Sequence, residues 1–286
     1  MKRLTGQVAA ITGAGSGMGR ALALALAGRG CPLALCDVDE AGLAETARAA
    51  AALGAPVSRL RVDVSDRDAV EAWARHAVAT HGAVQLLFNN AGVSLAAPLE
   101  TMSPADLDWI MGINFRGVVH GCQAFLPALR AAAARPGAAP SHIVNTSSLF
   151  GLMAMPGSGA YNASKFAVRG YTEALRMELA IAGARVGVTC VHPGGVRTNI
   201  ARAARVDPQL QALTGEAPAA SLARFDRLLD RTSAAAAAAR ILRGVERDER
   251  RVLIGADAHL LDALVRLLGA AYQRPIEALA RRQRRG

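Results

Sequence analysis

The sequence predicts an α/β protein in which a doubly wound parallel sheet lies between two layers of helices, a three-layer αβα arrangement. Short apolar runs of the β type alternate with longer helical patterns, which is the rhythm of βαβ units. The runs are continuously apolar, as expected for parallel strands covered by helices on both faces. Aromatic residues make up 4% of the chain and hydrophobic residues 52%, so we expect a core of Ala, Leu, Val and Ile. The runs cover residues 8–11, 32–36, 57–62, 85–88, 142–145, 186–191 and 252–254.

Local signals mark helix boundaries between these strands. Ser103 and Pro104 provide an N-cap and a first helical residue, and the helix that they begin is predicted to extend towards Ala134. The segment 135–140, which contains Pro and Gly, predicts a surface loop. A chain of 286 residues can form one large domain or two small ones. A single domain over residues 1–286 is the simplest interpretation.

The charge of the chain is basic but unevenly distributed. The formal net charge is +10, and the stretch from Arg240 to Gly286 holds eleven Arg against six acidic residues, a local net of +5. Four of those Arg fall in the last six residues. Because the main body is closer to neutral, we expect no nucleic-acid partner. We interpret the basic tail as a solvated, frayed end, with binding of a specific acidic partner as the alternative.

Cysteine, histidine and apolar patterns indicate a soluble protein of a reducing compartment. The four cysteines show no C-x-x-C spacing and the six histidines no i, i+4 pair, so we expect neither a disulfide framework nor a metal site. The apolar stretch near the N-terminus is too short for a signal peptide. No run approaches the roughly 20 apolar residues of a membrane span. We therefore predict a cytoplasmic location.

A glycine-rich turn directly follows the first strand. Residues 12–19 read Thr-Gly-Ala-Gly-Ser-Gly-Met-Gly, and a segment of high helix propensity comes next. Glycines there let the backbone approach a pyrophosphate, whose charge is favoured by the free N–H groups at a helix N-terminus. The turn predicts a dinucleotide site; a packing role, or binding of the methyl donor of methyltransferases, are the alternatives. The predicted contacts are Gly13, Ser16, Gly17, Met18 and Gly19.

An acidic residue ends the second strand. Asp37 lies eighteen residues beyond Gly19, where its carboxylate can accept hydrogen bonds from both hydroxyls of an adenosine ribose. A carboxylate there would repel a 2′-phosphate, and neither Ser16 nor Val38 supplies the cation that NADP requires. The pattern predicts NAD rather than NADP, with Asp37 and Val38 beside the ribose. A helix-capping or loop role for Asp37 is the alternative.

Tyr161 and Lys165 form a pair that is improbable by chance. The chain has three tyrosines and only two lysines, and a four-residue offset in a helix places both side chains on one face. An ammonium beside a phenol favours the phenolate and lowers a pKa of about 10 towards the range useful for proton transfer. Ser148, at the end of a strand, can hold a substrate oxygen, and Ser147 is the competing candidate. A surface pair and loop hydroxyls without function are the alternatives.

Taken together, these residues resemble the short-chain dehydrogenase/reductase family, in its single-domain branch of ordinary length. The match runs in order over roughly residues 5–200. The resemblance implies a Rossmann-like fold of seven parallel strands and an oxidoreductase that acts on CH–OH groups with a nicotinamide cofactor. The residues that carry it are those of the glycine turn 12–19, Asn89, Asn90, Ala91, Gly92, Asn114, Ser148, Tyr161, Lys165, Pro193 and Gly194.

The resemblance also implies a role for each residue. Tyr161 would exchange the proton with the substrate oxygen, and Ser148 would orient that oxygen. Lys165 would lower the pKa of Tyr161 and bind the nicotinamide ribose, and Asn114 would link Lys165 to solvent through water. On the residues alone, a side chain that faces solvent or another backbone group is the alternative for Asn114. The other implied cofactor contacts are Asp63 and Val64 at the adenine, Asn90, Ala91 and Gly92 along the adenosine, and Pro193, Gly194, Val196 and Thr198 at the nicotinamide amide.

After Thr198 the match becomes loose. The segment 194–232 mixes apolar residues with many Arg, which predicts a helical lid over the substrate. We expect an apolar pocket and a bulky hydrophobic secondary alcohol or ketone as substrate, with a plain core role for the same residues as the alternative. The apolar residues concerned are Leu95, Met153, Met155, Pro156, Ile200, Leu210, Leu213, Leu222 and Phe225.

The C-terminal extension, residues 256–286, carries an apolar helical stripe. Leu260, Leu261, Leu264, Val265, Leu267 and Leu268 are flanked by Asp262 and Arg266. We expect this stripe to be buried on its own domain or on a twin subunit, which indicates a homo-oligomer, a dimer or a tetramer. Peripheral attachment to a membrane is the alternative. The competing functions are an NADP-dependent carbonyl reductase and a dinucleotide-binding sensor or scaffold without turnover.

Overall fold

The protein is described by a computed structural model that covers residues 4–200, 203–217, 219–220, 223, 227 and 231–285. The strands are β1 Ala9–Thr12, β2 Leu33–Asp37, β3 Val57–Arg61, β4 Leu86–Asn89, β5 Leu95–Ala96, β6 Ser141–Thr146, β7 Val186–Pro193, β8 Arg205–Val206 and β9 Arg251–Ile254. The α-helices are α1 Gly17–Ala27, α2 Glu40–Ala52, α3 Arg67–His81, α4 Pro104–Met111, α5 Gly117–Ala134, α6 Gly159–Ile181, α7 Leu210–Thr214, α8 Ala234–Glu246, α9 Ala256–Leu268 and α10 Gln273–Arg285.

Seven of these strands form a single parallel sheet in the order β3-β2-β1-β4-β6-β7-β9. The strand order reverses between β1 and β4, and ligands of such sheets bind in the crevice outside the carboxyl ends at that switch point. The predicted Rossmann-like doubly wound fold is confirmed, with strand ends within one or two residues of the expected ones. β3 differs from the expectation of covered strands, because it is an edge strand and its last three residues are exposed.

Two apolar layers hold the helices on the sheet. On one face of the sheet, α1, α2 and α8 pack against the central strands through buried side chains such as Leu22, Leu26 and Ile241. On the other face Trp73 and Phe125 meet edge to face, with ring centroids 4.8 Å apart, where α3 and α5 cover the sheet together with α6. Ala, Val and Leu fill most of the remaining space, as the composition predicts.

The helix predicted to begin at Pro104 does extend to Ala134, but it is interrupted. Residues Gly112–Arg116 form one π-helical turn between α4 and α5, and Ser103 caps α4 by accepting a hydrogen bond from the Asp106 N–H. A π-turn inserts one extra residue per turn and is frequent at functional sites. This turn contains Asn114, whose side chain is fully buried.

The C-terminal extension is helical almost throughout. Residues Gly269–Tyr272 form a 3₁₀ turn between α9 and α10, and α10 continues to Arg285, so the expectation of a frayed tail is wrong. Leu261 and Val265 pack with Leu149 and Met153, as expected for burial on the same domain.

The rest of the apolar stripe lies outside that contact. Leu260, Leu264 and Leu267 are 69%, 40% and 83% exposed, and Leu268 is 39% exposed. The expectation that the chain buries the stripe is therefore met by only part of it, and burial on a twin subunit stays a prediction. Within the part of the chain that the structure describes, no helix is both long and apolar enough to cross a membrane.

The segment 194–232 is only partly described. β8 pairs in parallel with β5, and α7 follows it. Leu222 and Phe225, which we expected to face the substrate, lie outside the described residues. The lid therefore stays a prediction.

Candidate active site

A cavity of about 300 Å³ opens at the carboxyl ends of the central strands. Residues that follow β4, β6 and β7 reach its wall, together with Tyr161 and Lys165 of α6 and Leu261 of α9. Of the residues predicted for an apolar pocket, Met153, Met155 and Ile200 line it. Leu95, by contrast, packs in a separate cluster with Ile110 and Tyr161.

Tyr161 and Lys165 lie on one face of α6, as their four-residue offset predicts. Both are almost fully buried, with exposures of 8% and 3%. The Lys165 Nζ atom lies 5.7 Å from the centroid of the Tyr161 ring and donates a hydrogen bond to the carbonyl oxygen of Thr146, 3.1 Å away. The rings of Phe150 and Tyr161 pack edge to face, with centroids 6.2 Å apart. The pair is therefore part of the cavity wall and not a surface ion pair.

The two candidate serines have different environments. Ser147 is buried and its hydroxyl donates to the carbonyl oxygen of Lys165 at 2.8 Å, so it ties β6 to α6. Ser148 is partly exposed and accepts a hydrogen bond from the Phe150 N–H at 3.1 Å. Ser147, Ser148 and Tyr161 all line the cavity, but the hydroxyl of Ser147 is bonded to the carbonyl oxygen of Lys165, so Ser148 is the serine that we assign to the substrate oxygen.

The protonation states of the pair differ from the expectation. Burial raises the pKa of the Tyr161 phenol, and the Ser148 hydroxyl offsets this rise only in part. Burial also lowers the pKa of Lys165 to about 8. The expected fall of the Tyr161 pKa is therefore not seen in the chain by itself, and the contribution of Lys165 to that pKa stays a prediction. The physical reason is that desolvation penalises both charged forms, while the ammonium lies under the ring and is bonded to a carbonyl.

Asn114 is held by backbone rather than exposed to solvent. Its Oδ1 accepts a hydrogen bond from the Val93 N–H at 2.8 Å, and its Nδ2 donates to the Val93 carbonyl at 3.0 Å and to Ser164 Oγ at 3.1 Å. A Cβ on Gly92 would lie 3.3 Å from both Asn114 Oδ1 and Lys165 Nζ. Asn114 and Lys165 thus approach the same glycine, and the implied water link between them stays a prediction.

The glycine turn forms a tight cradle at the start of α1. Gly13 and Gly17 have φ of +65° and +52°, a region that residues with a Cβ rarely adopt. A Cβ on Gly19 would overlap the carbonyl oxygen of Gly13, so the turn closes only with glycine there. Ser16 is the N-cap residue, and its side chain makes no capping hydrogen bond to the helix. The first N–H groups of α1 are therefore left without a partner from that side chain, which suits an anion.

Asp37 organises this turn and does not cap a helix. Its Oδ2 accepts a hydrogen bond from the Gly15 N–H at 2.7 Å, and its Oδ1 accepts one from the Asp39 N–H at 3.0 Å. Asp39 is the residue that caps α2, by accepting from Gly42. The helix-capping alternative for Asp37 is thus excluded. The guanidinium of Arg20 is nearby but is bonded to Glu45 at 2.8 Å and to the Gly15 carbonyl at 2.6 Å.

The segment after β4 packs on the glycine turn. The backbone N–H groups of Asn90 and Ala91 donate to Thr12 Oγ1 at 2.9 and 3.0 Å, and Asn90 Nδ2 donates to the Thr12 carbonyl at 3.1 Å. The Oδ1 of Asn90 is buried and has no hydrogen-bond partner among the described residues.

Next to β3, Asp63 accepts from Ser65, while Asp66 caps α3. Val64 is buried against Gly117.

The segment after β7 lines the cavity with Gly194, Gly195, Val196 and Thr198. The Gly194 N–H donates to the Ile254 carbonyl at 2.9 Å, and the Gly195 carbonyl accepts from the Thr232 N–H at 2.9 Å. The Arg197 N–H donates to the Thr232 carbonyl at 2.9 Å. These two bonds with Thr232 make an isolated parallel bridge between Val196 and Thr232, and Val196 lines the cavity. Thr198 contacts Gly17 of the glycine turn.

A protein-family model described as short chain dehydrogenase matches residues 7–209. The chain belongs to the short-chain dehydrogenase family. SadH of Mycobacterium tuberculosis is 47% identical over 278 residues, which are 97% of this chain and 96% of SadH. The C alpha-dehydrogenase of Sphingobium is 35% identical over 216 residues, which are 75% of this chain and 68% of that enzyme.

A solved structure of a short-chain dehydrogenase from Burkholderia phymatum, in complex with NAD, has the same fold. Its TM-score is 0.84 and its sequence identity 37%, with 96% of this chain and 97% of that chain covered. This short-chain dehydrogenase is accordingly an oxidoreductase of a dinucleotide-binding family.

Sequence reasoning missed several residues at the cavity of this short-chain dehydrogenase or next to residues that line it. Asp257 of α9 lines the cavity and accepts a hydrogen bond from the Gly195 N–H, and Tyr272 accepts one from the Ala154 N–H. His192 is fully buried, and its Nδ1 donates to the carbonyl oxygen of Ser148 at 2.9 Å. Burial lowers the pKa of His192 to about 4, so the ring is neutral at pH 7. No spacing signal marks these residues, because each meets the site through a contact distant in sequence.

Proposed function

We propose that this chain is an NAD(H)-dependent oxidoreductase that transfers a hydride between nicotinamide and a hydrophobic secondary alcohol or ketone, with Tyr161 as acid and base. The observation that carries the proposal is that Ser148, Tyr161 and Lys165 line the same mostly apolar cavity. A helix and a strand end supply these groups, so they are rigidly placed relative to each other.

The residues around the glycine turn fit a dinucleotide. The turn leaves no space for a Cβ at Gly13 or Gly19, which is what a close approach of backbone to pyrophosphate requires. The buried Oδ1 of Asn90 has no hydrogen-bond partner in the described part of the chain and can accept one from a ligand. We assign the holding of the cofactor to Gly13, Ser16, Gly17, Met18, Gly19, Asp37, Val38, Asp63, Val64, Asn90, Ala91, Gly92, Tyr161, Lys165, Pro193, Gly194, Val196 and Thr198. When bound, the nicotinamide ring supplies a carbon that accepts or releases a hydride.

The side chains of the chain handle the proton. Ser148 donates a hydrogen bond to the substrate oxygen and orients it towards Tyr161. In the direction of reduction the Tyr161 phenol gives its proton to that oxygen, and in the direction of oxidation the phenolate removes the proton from the alcohol. The buried ammonium of Lys165 stabilises the phenolate form and binds the nicotinamide ribose, and Asn114 supports the backbone beside it.

We assign NAD rather than NADP as the cofactor because of Asp37. Its two carboxylate oxygens are bonded to the N–H groups of Gly15 and Asp39, which places a negative charge beside the glycine turn. A 2′-phosphate at that place would be repelled. The NAD complex of the Burkholderia phymatum protein, which is 37% identical, supports the same choice.

The substrate class can be tested with a panel of alcohols and ketones. Leu149, Phe150, Met153 and Met155 give the cavity an apolar wall. We expect kcat/KM for bulky cyclic or aromatic secondary alcohols to exceed that for polyols by about 10-fold or more, because each buried methylene adds about 0.8 kcal/mol. The measurement is the rate of NADH appearance by absorbance across the panel. A preference for small charged sugars would contradict the assignment.

We further propose a cytoplasmic homo-oligomer, a dimer or tetramer, in which a twin subunit covers Leu260, Leu264 and Leu267. The support is the exposure of these three side chains on one stripe of α9. Light scattering of the purified protein is expected to give a mass of two or four chains, and replacement of Leu264 and Leu267 by Asp should lower it. A wild-type mass of one chain would contradict the proposal, and binding of that monomer to anionic vesicles would favour membrane attachment instead.

A further inference from the structure

We infer that Asp257, in the first turn of the C-terminal helix α9, is a positioning residue for the nicotinamide end of the cofactor. The inference rests on the proposed function, since it assumes that a nicotinamide binds beside Val196. It gives the C-terminal extension a role in the active site. The role is indirect, because Asp257 acts on backbone that contacts the cofactor.

The first observation is a hydrogen bond between the extension and the segment after β7. The Oδ2 atom of Asp257 accepts from the Gly195 N–H at 2.7 Å, a distance typical of a charge-assisted bond. On either side of this contact, Gly194 is bonded to Ile254 and Arg197 to Thr232. Asp257 thus supplies the acceptor that backbone does not provide at Gly195. The next residue, Val196, lines the cavity, so this bond fixes backbone directly beside the cavity wall.

The second observation is that the carboxylate is enclosed by glycines. A Cβ on Gly194 or on Gly255 would overlap the Oδ1 atom of Asp257. Gly255 has φ of +92°, which disfavours any other residue there. The position of the carboxylate is therefore determined on two sides by backbone, and the Gly195 N–H is held at one place.

The third observation concerns the Oδ1 atom of Asp257. It is buried and has no hydrogen-bond partner among the described residues. A buried acceptor without a partner costs about 1–3 kcal/mol. The start of α9 lowers this cost, because the positive end of a helix dipole favours a carboxylate in the first turn. A residue that only joined α9 to the sheet would not need a buried acceptor, which points to the bond at Gly195 as its role.

The extension is anchored on the cavity wall by further contacts. The Tyr272 hydroxyl accepts a hydrogen bond from the Ala154 N–H at 2.9 Å, and Leu261 lines the cavity itself. Asp262, one turn after Asp257, accepts from Arg251 of β9 and Arg266. α9 is thus attached to the sheet independently of Asp257. Loss of the Asp257 carboxylate should therefore release Gly195 without detaching the helix.

The test compares two ligands that differ only beyond the ADP-ribose unit. Both ligands contain the two riboses and the pyrophosphate, and only NADH carries the nicotinamide ring. In the variant Asp257→Ala we expect the Kd for NADH to rise about tenfold, the effect of one lost hydrogen bond to a charged group, and the Kd for ADP-ribose to stay within about twofold. Asp257→Asn keeps an acceptor for the Gly195 N–H and should restore most of the NADH affinity. Calorimetry or fluorescence titration gives both constants.

Asp262→Asn is the matched control on the same helix. It loses ion pairs with Arg251 and Arg266, so we expect a lower melting temperature with both dissociation constants unchanged. Retained binding of ADP-ribose also shows that Asp257→Ala is folded. An equal rise of both constants in Asp257→Ala, or no rise of either, would overturn the inference. If the wild-type protein bound ADP-ribose but not NADH, the proposed function itself would fail, and this inference with it.

Discussion

Replacing Tyr161 by Phe is expected to lower kcat by about 10³-fold while the Kd for NADH changes by less than about threefold. The substitution removes one oxygen atom and leaves the ring contacts with Phe150 and Lys165 in place. The proton of the substrate oxygen then has no acid or base within reach, so chemistry slows and cofactor binding persists. Steady-state rates and a fluorescence titration with NADH measure the two quantities on one sample.

Tyr171→Phe is the matched control for this prediction. Tyr171 lies on the same helix, α6, but packs in the apolar layer that α3, α5 and α6 form on the sheet, with its ring centroid 6.2 Å from that of Phe115. Burial raises the pKa of Tyr171 to a value at which its phenol stays protonated at neutral pH. We expect normal turnover in this variant. A comparable loss of kcat in both variants would show that the effect at Tyr161 is one of packing and not of proton transfer.

Replacing Asp37 by Ala is expected to reverse or abolish the preference for NADH over NADPH, a change of about 10- to 100-fold in the ratio of the two dissociation constants. The reason is that NADH loses the hydrogen bonds of both ribose hydroxyls whereas NADPH, whose 2′ oxygen carries the phosphate, loses one. The two cofactors therefore differ by one bond to a charged acceptor, worth about 1.5–3 kcal/mol, and the repulsion of the 2′-phosphate is removed as well. Titration of each cofactor against the intrinsic fluorescence of the protein gives the two constants.

The ratio is the informative quantity in that experiment. Asp37 also holds the Gly15 N–H at 2.7 Å, so its removal loosens the glycine turn and weakens both cofactors together. Asp39→Asn serves as the control, because it keeps an acceptor for the Gly42 N–H at the cap of α2 and lies two residues away. Its ratio should equal that of the wild type. Tighter binding of NADPH than NADH by the wild-type protein would contradict the use of Asp37 and favour the NADP alternative.

Much of this fold could be predicted because its signals are local. Apolar strand runs and a glycine turn are properties of neighbouring residues, and the seven strands appear where those runs lie. The offset between Tyr161 and Lys165 is also local, since a helix converts it directly into a shared face. The choice of Ser148 over Ser147 came from the family resemblance, because the hydrogen bond that Ser147 makes to α6 leaves no local signal in the sequence.

Burial and distant contacts could not be predicted from the sequence. The pKa of Tyr161 was expected to fall, but burial raises it in the chain by itself. The domain covers only part of the leucine stripe of α9, because the spacing of the leucines does not tell which side of the helix meets the domain; coverage of the exposed Leu267 by a twin subunit stays a prediction. Asp257 reaches Gly195 across 62 positions of sequence, and no local pattern records such a contact.

The most direct measurement is the fate of the hydrogen on the carbinol carbon. The best alcohol of the panel is prepared with deuterium at that carbon and oxidised by the wild-type protein with NAD. We predict deuterium in the reduced nicotinamide, one atom for each ketone formed, with turnover slowed relative to the unlabelled alcohol. Ketone formed while the cofactor stays unlabelled, or no reduction of NAD with any alcohol of the panel, would contradict the account.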